Sequence, residues 1–166
     1  MRYITIILIA LCSLTVVANF SACSPDNEIG ILPPPNPDPN PSPEPEPEDN
    51  QLKITVGTLF FSATLENNAT VTELKKLLPI TINMKELNNN EKYYDLPHSL
   101  PTNSSNPGTI QNGDLMLYGS KTIVLFYKTF PTSYSYTRLG YINNPSGLQS
   151  ALGSGNVTVT FELQQQ

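Results

Sequence analysis

Beyond residue 50 the chain alternates apolar and polar residues in short bursts. Leu52, Ile54 and Val56 share one side of their stretch, with Lys53 and Thr55 between them, the period-two pattern of a half-buried strand. Gly57 marks a turn or bulge, and Thr58 to Leu65 continues as a second strand. Glu66-Asn67-Asn68 then turns the chain. Thr70-Val71-Thr72-Glu73 has the form of a capping box, in which the Thr70 hydroxyl accepts from the Glu73 amide and Glu73 reaches back. Leu74, Leu77 and Leu78 make an apolar stripe behind it, with Lys75 and Lys76 outward, and Pro79 predicts the stop.

Alternation resumes at Ile80, Ile82 and Met84. Asn88-Asn89-Asn90 is a turn, and Glu91 to Leu96 returns as a strand through Tyr93 and Tyr94. Residues 97–113 are rich in Pro, Ser, Asn and Gly and predict a long loop, a place where function often resides. Asp114 to Tyr118 is a strand, Gly119-Ser120 a tight turn, and Lys121 to Lys128 (KTIVLFYK) the most apolar and central strand. Residues 129–136 form a second, polar-aromatic loop. Arg138 to Ile142 is again a strand, Asn143-Asn144-Pro145 opens a short helix through Leu148 and Leu152, and Val157 to Phe161 alternates cleanly. About eight short strands with one or two short helices predict a mainly β domain over residues 51–166, a closed or nearly closed barrel.

The first 50 residues follow different rules. Arg2 precedes an apolar run, Ile4 to Leu11 and Leu14 to Ala18, and small residues lead to Cys23, so residues 1–22 read as a signal peptide. Phe20-Ser21-Ala22-Cys23 resembles a bacterial lipobox, although Phe20 stands where leucine is usual. That resemblance implies diacylglyceryl transfer to the Cys23 thiol and a mature chain beginning there. The alternative is an ordinary signal peptide cut near Ala22, with Cys23 a bystander. Ten of the 16 prolines lie between Pro25 and Pro47. Residues 23–50 therefore read as an extended polyproline-type tether that carries seven acids and no base. At roughly 3.1 Å per residue it reaches up to about 80 Å. The expected location is the bacterial cell envelope, lipid-anchored to a membrane through Cys23. A ligand for a proline-reading module is a weaker reading of the same segment than a spacer.

Composition narrows the chemistry. The net charge of −5 belongs to the tether, since residues 51–166 carry eight bases and seven acids. A near-neutral domain has no electrostatic footprint for nucleic acid. Both cysteines, Cys12 and Cys23, precede the domain, and His98 is the lone histidine, so no metal site and no disulfide are expected in it. No phosphate loop, nucleophile elbow or cofactor motif is present.

The stretch Gly108-Thr109-Ile110-Gln111-Asn112-Gly113-Asp114, followed by Gly119-Ser120, Val124 to Tyr127, Leu139-Gly140-Tyr141-Ile142, Gly147-Leu148 and Ala151-Leu152, resembles the second half of a cyclophilin. It is more similar still to the smaller bacterial cyclophilin-like domains, with their Tyr-Thr-Arg-Leu-Gly-like segment and Asn-Pro before the last helix. The resemblance covers about residues 51–165. It implies an eight-stranded barrel capped by helices, and peptidyl-prolyl isomerase activity where the catalytic residues match. They mostly do not. The family's Phe-His-Arg is absent, the stretch that would align with it (Glu91 to Asp95) holds no arginine, and Lys121 replaces the glutamine after Ser120.

Two readings follow. The first is a non-catalytic module that binds a peptide or small ligand near residues 126–138 through Phe126, Tyr134, Tyr136 and Arg138. The second is a divergent prolyl isomerase acting on envelope proteins, with Arg138 as donor to the twisted amide and Phe126 in the proline pocket. Arg138 also suits a ligand carboxylate or a surface ion pair. Tyr118, Tyr127 and Tyr141 read as core more readily than as binding surface. Glu91 and Asp95 face the same way on one strand, a pattern that glycoside hydrolysis uses, yet acids in a polar hairpin are ordinarily just solvated.

Overall fold

The structure, a computed structural model, describes residues 50–164. The signal peptide, the lipobox and nearly all of the tether lie outside the described residues. Ten strands and two helices follow in the order β1 (Gln51–Val56), β2 (Leu59–Leu65), α1 (Ala69–Lys75), β3 (Ile80–Leu87), β4 (Glu91–Asp95), β5 (Thr109–Ile110), β6 (Asp114–Tyr118), β7 (Thr122–Phe126), β8 (Phe130–Pro131), β9 (Thr137–Ile142), α2 (Leu148–Leu152) and β10 (Val157–Leu163).

Eight of the strands close into an antiparallel barrel in the order β1-β10-β3-β4-β7-β6-β9-β2. The expected barrel of about eight strands with two short helices is therefore what the chain forms. Alternation explains the closure: Leu52, Ile54 and Val56 on β1, Ile82 and Met84 on β3, and Val159 and Phe161 on β10 all point to the lumen and are buried. The lumen is a packed core, with a residual void of only about 10 Å³ among Leu52, Leu74, Ile123 and Phe161. A barrel of this size fills itself with side chains.

The capping box at Thr70 is not what starts α1. Asn68 holds an extended backbone (φ −149°), and its side-chain oxygen accepts from the Val71 amide at 2.9 Å. Thr70 lies inside the helix, buried, and donates to the Pro101 carbonyl at 2.8 Å, tying the long loop to the barrel. The helix also ends earlier than the leucine stripe. The Leu77 and Leu78 amides bond three residues back, to Leu74 and Lys75, and leave Leu77 exposed before Pro79. Likewise α2 begins at Leu148, behind Gly147 at φ +80°, rather than at the Asn-Pro.

The two expected loops fold onto each other. Strands β5 and β8, inside residues 97–113 and 129–136, pair through Ile110 and Phe130. Ser105 and Tyr136 exchange both backbone hydrogen bonds, at 2.9 and 3.0 Å. The joined loops lie against the outer face of β6 and β7. There Ile110, Met116, Val124, Phe126 and Tyr136 form a second apolar cluster, with Tyr93 and Phe130 packed on it. Strand β7 is thus buried on both faces, which accounts for its nearly continuous apolar run.

Candidate functional site

The second cluster leaves a cavity of about 360 Å³ beside it, within the range of small-ligand sites. Strand parity builds its floor. Glu91, Tyr93 and Asp95 on β4, Thr122 and Val124 on β7 and Tyr118 on β6 all face outward and line it. The loop at residues 127–136 supplies Phe130, Tyr134 and Tyr136, and the β3–β4 turn supplies Leu87, Asn88 and Asn90. That turn is tight, with Asn88 and Asn89 at φ 54° and 55° and the Asn90 amide donating to Leu87. Asparagine tolerates this left-handed geometry better than other side chains with a Cβ.

The aromatic rings meet at steep angles. Tyr118 stands 6.1 Å from Tyr134 at 86° and 5.6 Å from Tyr136 at 52°. Phe126 supports Tyr136 from beneath, edge to face at 5.6 Å. The rings therefore form a corner, not a stack.

The polar groups are mostly acceptors. Asp95 takes the Thr122 hydroxyl at 2.7 Å. The side-chain oxygen of Asn90 is buried without a hydrogen-bond partner. Glu91 is half-buried, and its carboxylate has no hydrogen bond or ion pair among the described residues. Burial, and secondarily the charge of Glu86, push Glu91 up to about 7. Burial and the Glu91 charge likewise raise the Tyr136 phenol. Among the described residues no Lys, Arg or His lines the cavity.

On the lumen side of the same hairpin the charges are paired. Lys92 is fully buried and donates to Glu86, to the Gly153 carbonyl at 2.9 Å and to the Gly155 carbonyl at 2.6 Å. Tyr127 donates to the other Glu86 oxygen at 2.7 Å. Burial raises Glu86, but the bonds from Lys92 and Tyr127 outweigh it and leave the group below the usual carboxylate value.

The sequence candidates separate. Tyr134, 61% exposed, and Tyr136 line the cavity. Phe126 has no exposure and lies under Tyr136, so it supports the wall without facing a ligand. Arg138 stands outside the cavity lining; its Nη2 is 3.7 Å from Asp114 Oδ1, with 47% of its side chain exposed. A β-bulge on β9 sets this direction, because the register with β6 slips between Leu115, opposite Gly140, and Met116, opposite Arg138. Tyr127 is inside the barrel, while Tyr118 joins the wall. The carboxylate pair reads differently here than in the sequence: Glu91 and Asp95 do share a face, but it is a cavity wall, and Glu91 is not simply solvated. Four strand residues also set them about 13 Å apart along the backbone, wider than either glycosidase spacing. Asn90, Tyr93 and Phe130 were not among the site candidates, and Glu91 entered only as half of a carboxylate pair. A strand of outward acids beside a loop rich in aromatics was the signal for them.

A wider depression of about 730 Å³ lies by Lys53, Phe60 and Glu162, but there Lys53 and Glu162 pair with each other at 2.7 Å.

A closed eight-stranded barrel with two short helices defines the fold class, and the comparisons agree on it. A model of the Cyclophilin-like family matches residues 54–162. This chain belongs to the cyclophilin-like family. A hypothetical protein from Archaeoglobus fulgidus, solved in solution, is similar in structure at a TM-score of 0.55 and 19% identity, over 73% of this chain and 100% of that one. At that identity it speaks for the fold alone. No curated protein matches the sequence.

Proposed function

We propose that this protein is a ligand-binding module of the bacterial cell envelope. In this reading acyl chains on Cys23 anchor it, residues 23–50 hold it off the membrane, and the cavity over β4, β7 and β6 takes a peptide or small molecule without converting it. The observation that carries the reading is the cavity's polar lining. It offers the Glu91 and Asp95 carboxylates and the Asn90 oxygen beside four tyrosines, and no guanidinium. Prolyl isomerisation has a barrier near 20 kcal/mol, and an enzyme lowers it with a donor aimed at the twisted amide. Strand β4, which would align with the Phe-His-Arg segment, presents acids there instead, and Arg138 is turned toward Asp114.

The test is a protease-coupled prolyl isomerisation assay on short Xaa-Pro peptides, with Arg138→Ala beside the unaltered chain. The expected rate is the uncatalysed one for both. Acceleration lost in Arg138→Ala would make the protein a divergent isomerase with Arg138 as its donor. Acceleration kept in the variant would leave an enzyme whose donor lies elsewhere.

A further inference from the structure

We propose that the cavity binds an organic cation, an ammonium group held between the Glu91 carboxylate and the tyrosine corner of Tyr118, Tyr134 and Tyr136. This rests on the reading of the cavity as a binding site and names the chemistry of its ligand.

Charge complementarity is the first ground. The lining carries two carboxylates and no cation. Asp95 is already engaged by Thr122, so Glu91 is the carboxylate left without a partner. A half-buried carboxylate with no donor is costly, and a ligand cation removes that cost. The Asn90 oxygen, buried and unsatisfied on the same wall, is a second acceptor awaiting a donor.

Ring geometry is the second ground. An ammonium is attracted to the negative face of an aromatic ring, and several rings inclined to one another present faces to one point. The angles of 86° and 52° about Tyr118 give that arrangement. The outer wall already shows the preference, since Lys85 on β3 rests 5.8 Å from the Tyr93 ring centre. Phe130 adds apolar surface without a competing donor.

The groups facing Glu91 set the pH behaviour. They are Asp95 and Tyr93 on β4, with Lys85 of β3 over the Tyr93 ring, Tyr118 on β6, and Tyr134 and Tyr136 beyond β8; Glu86, on the lumen side and paired with Lys92, acts on Glu91 through its charge alone. Glu91, poised at about 7, gives up its proton to bind a cation. Binding therefore strengthens as pH rises through neutrality and releases a proton below it.

The experiment is calorimetric titration of the full chain with choline, with its uncharged isostere dimethylbutanol, and with a short lysine-containing peptide, at pH 5.5 and pH 8. We expect choline to bind at pH 8 at least about tenfold more tightly than the isostere and to weaken about tenfold at pH 5.5. Glu91→Gln removes the preference for charge, and its melting curve reports that it is folded. Tyr134→Leu keeps apolar surface at an exposed position but loses the ring face, and weakens choline more than dimethylbutanol. Tighter binding of the peptide than of choline assigns the ammonium to a peptide side chain, and the reverse to a free small molecule. Equal affinity for choline and its isostere, or no binding of either cation, overturns the proposal. If dimethylbutanol or a neutral peptide still binds, the cation assignment has failed and the binding-module reading stands. If nothing binds and the chain accelerates prolyl isomerisation, that reading has failed as well.

Discussion

Two glutamates five residues apart are driven in opposite directions by the face each side chain occupies. Glu86 points to the lumen, where Lys92 and Tyr127 donate to it and hold it below the usual carboxylate value. Glu91 points outward, where burial and the Glu86 charge lift it to about 7. The stability consequences are opposite too. Between the ordinary value of 4.5 and about 7 the folded chain keeps the Glu91 proton that the unfolded chain releases, so this group lowers stability as pH rises through that window. Glu91→Gln is therefore expected to melt like the unaltered chain near pH 4 and a few degrees higher at pH 8, as read by thermal unfolding without ligand. A variant that loses stability at pH 8 would mean the carboxylate has a partner in the free protein. Glu86 behaves in the reverse sense, stabilising above the carboxylate range and losing that contribution in acid. Its partner is the sensitive position. Lys92→Met would strand the Glu86 charge and orphan the Gly153 and Gly155 carbonyls, at a cost of about 3–5 kcal/mol by denaturant titration.

Strand β9 closes the barrel against β2 at a point with no room for a side chain. A Cβ on Gly140 would lie 2.3 Å from the Thr64 carbonyl oxygen and 3.0 Å from the Leu65 Cα. Both are backbone atoms of the β2–β9 ladder, where Leu65 faces Gly140. Gly140→Ala is expected to cost about 1–3 kcal/mol or to part the ladder, measured by urea unfolding. The same element shows where sequence patterning stops. Alternation identified strands such as β1, β3 and β10, because one face is buried and the other wet. On β7 both faces are buried, so KTIVLFYK could not say that Ile123 and Leu125 enter the lumen while Val124 and Phe126 lie under the loops. The direction of Arg138 depends on a bulge that slips the register by one residue, and no local residue choice announces it. The aromatic segment at 129–136 was legible as a loop. That it zips to Ser105 and Ile110 was not, because those pairings are non-local. Glu91 and Asp95 were legible as sharing a face, but only the closed barrel decides that the face is a cavity wall.

At the scale of the whole molecule, the barrel keeps its packed core apart from the outer cavity. The lumen is solid, with Lys92 and Glu86 paired on its side of the β3–β4 hairpin, while the cavity sits outside under the joined loops. Charge is partitioned as well. Seven acids crowd residues 23–50, whereas the domain is close to neutral. Under the proposed anchoring, the acids of such a segment repel anionic headgroups and its prolines favour an extended spacer. The anchoring proposed here needs two or three acyl chains, because a single one gives only marginal membrane binding. Cys23 is the one residue in the Phe-Ser-Ala-Cys segment able to carry them. Cys23→Ala is accordingly expected to abolish fatty-acid labelling and move the protein from the membrane fraction to the soluble one, while choline binding at pH 8 stays within about twofold because the site is remote. Retention of Cys23→Ala on the membrane without label would instead assign the attachment to the uncleaved apolar run of residues 4–18.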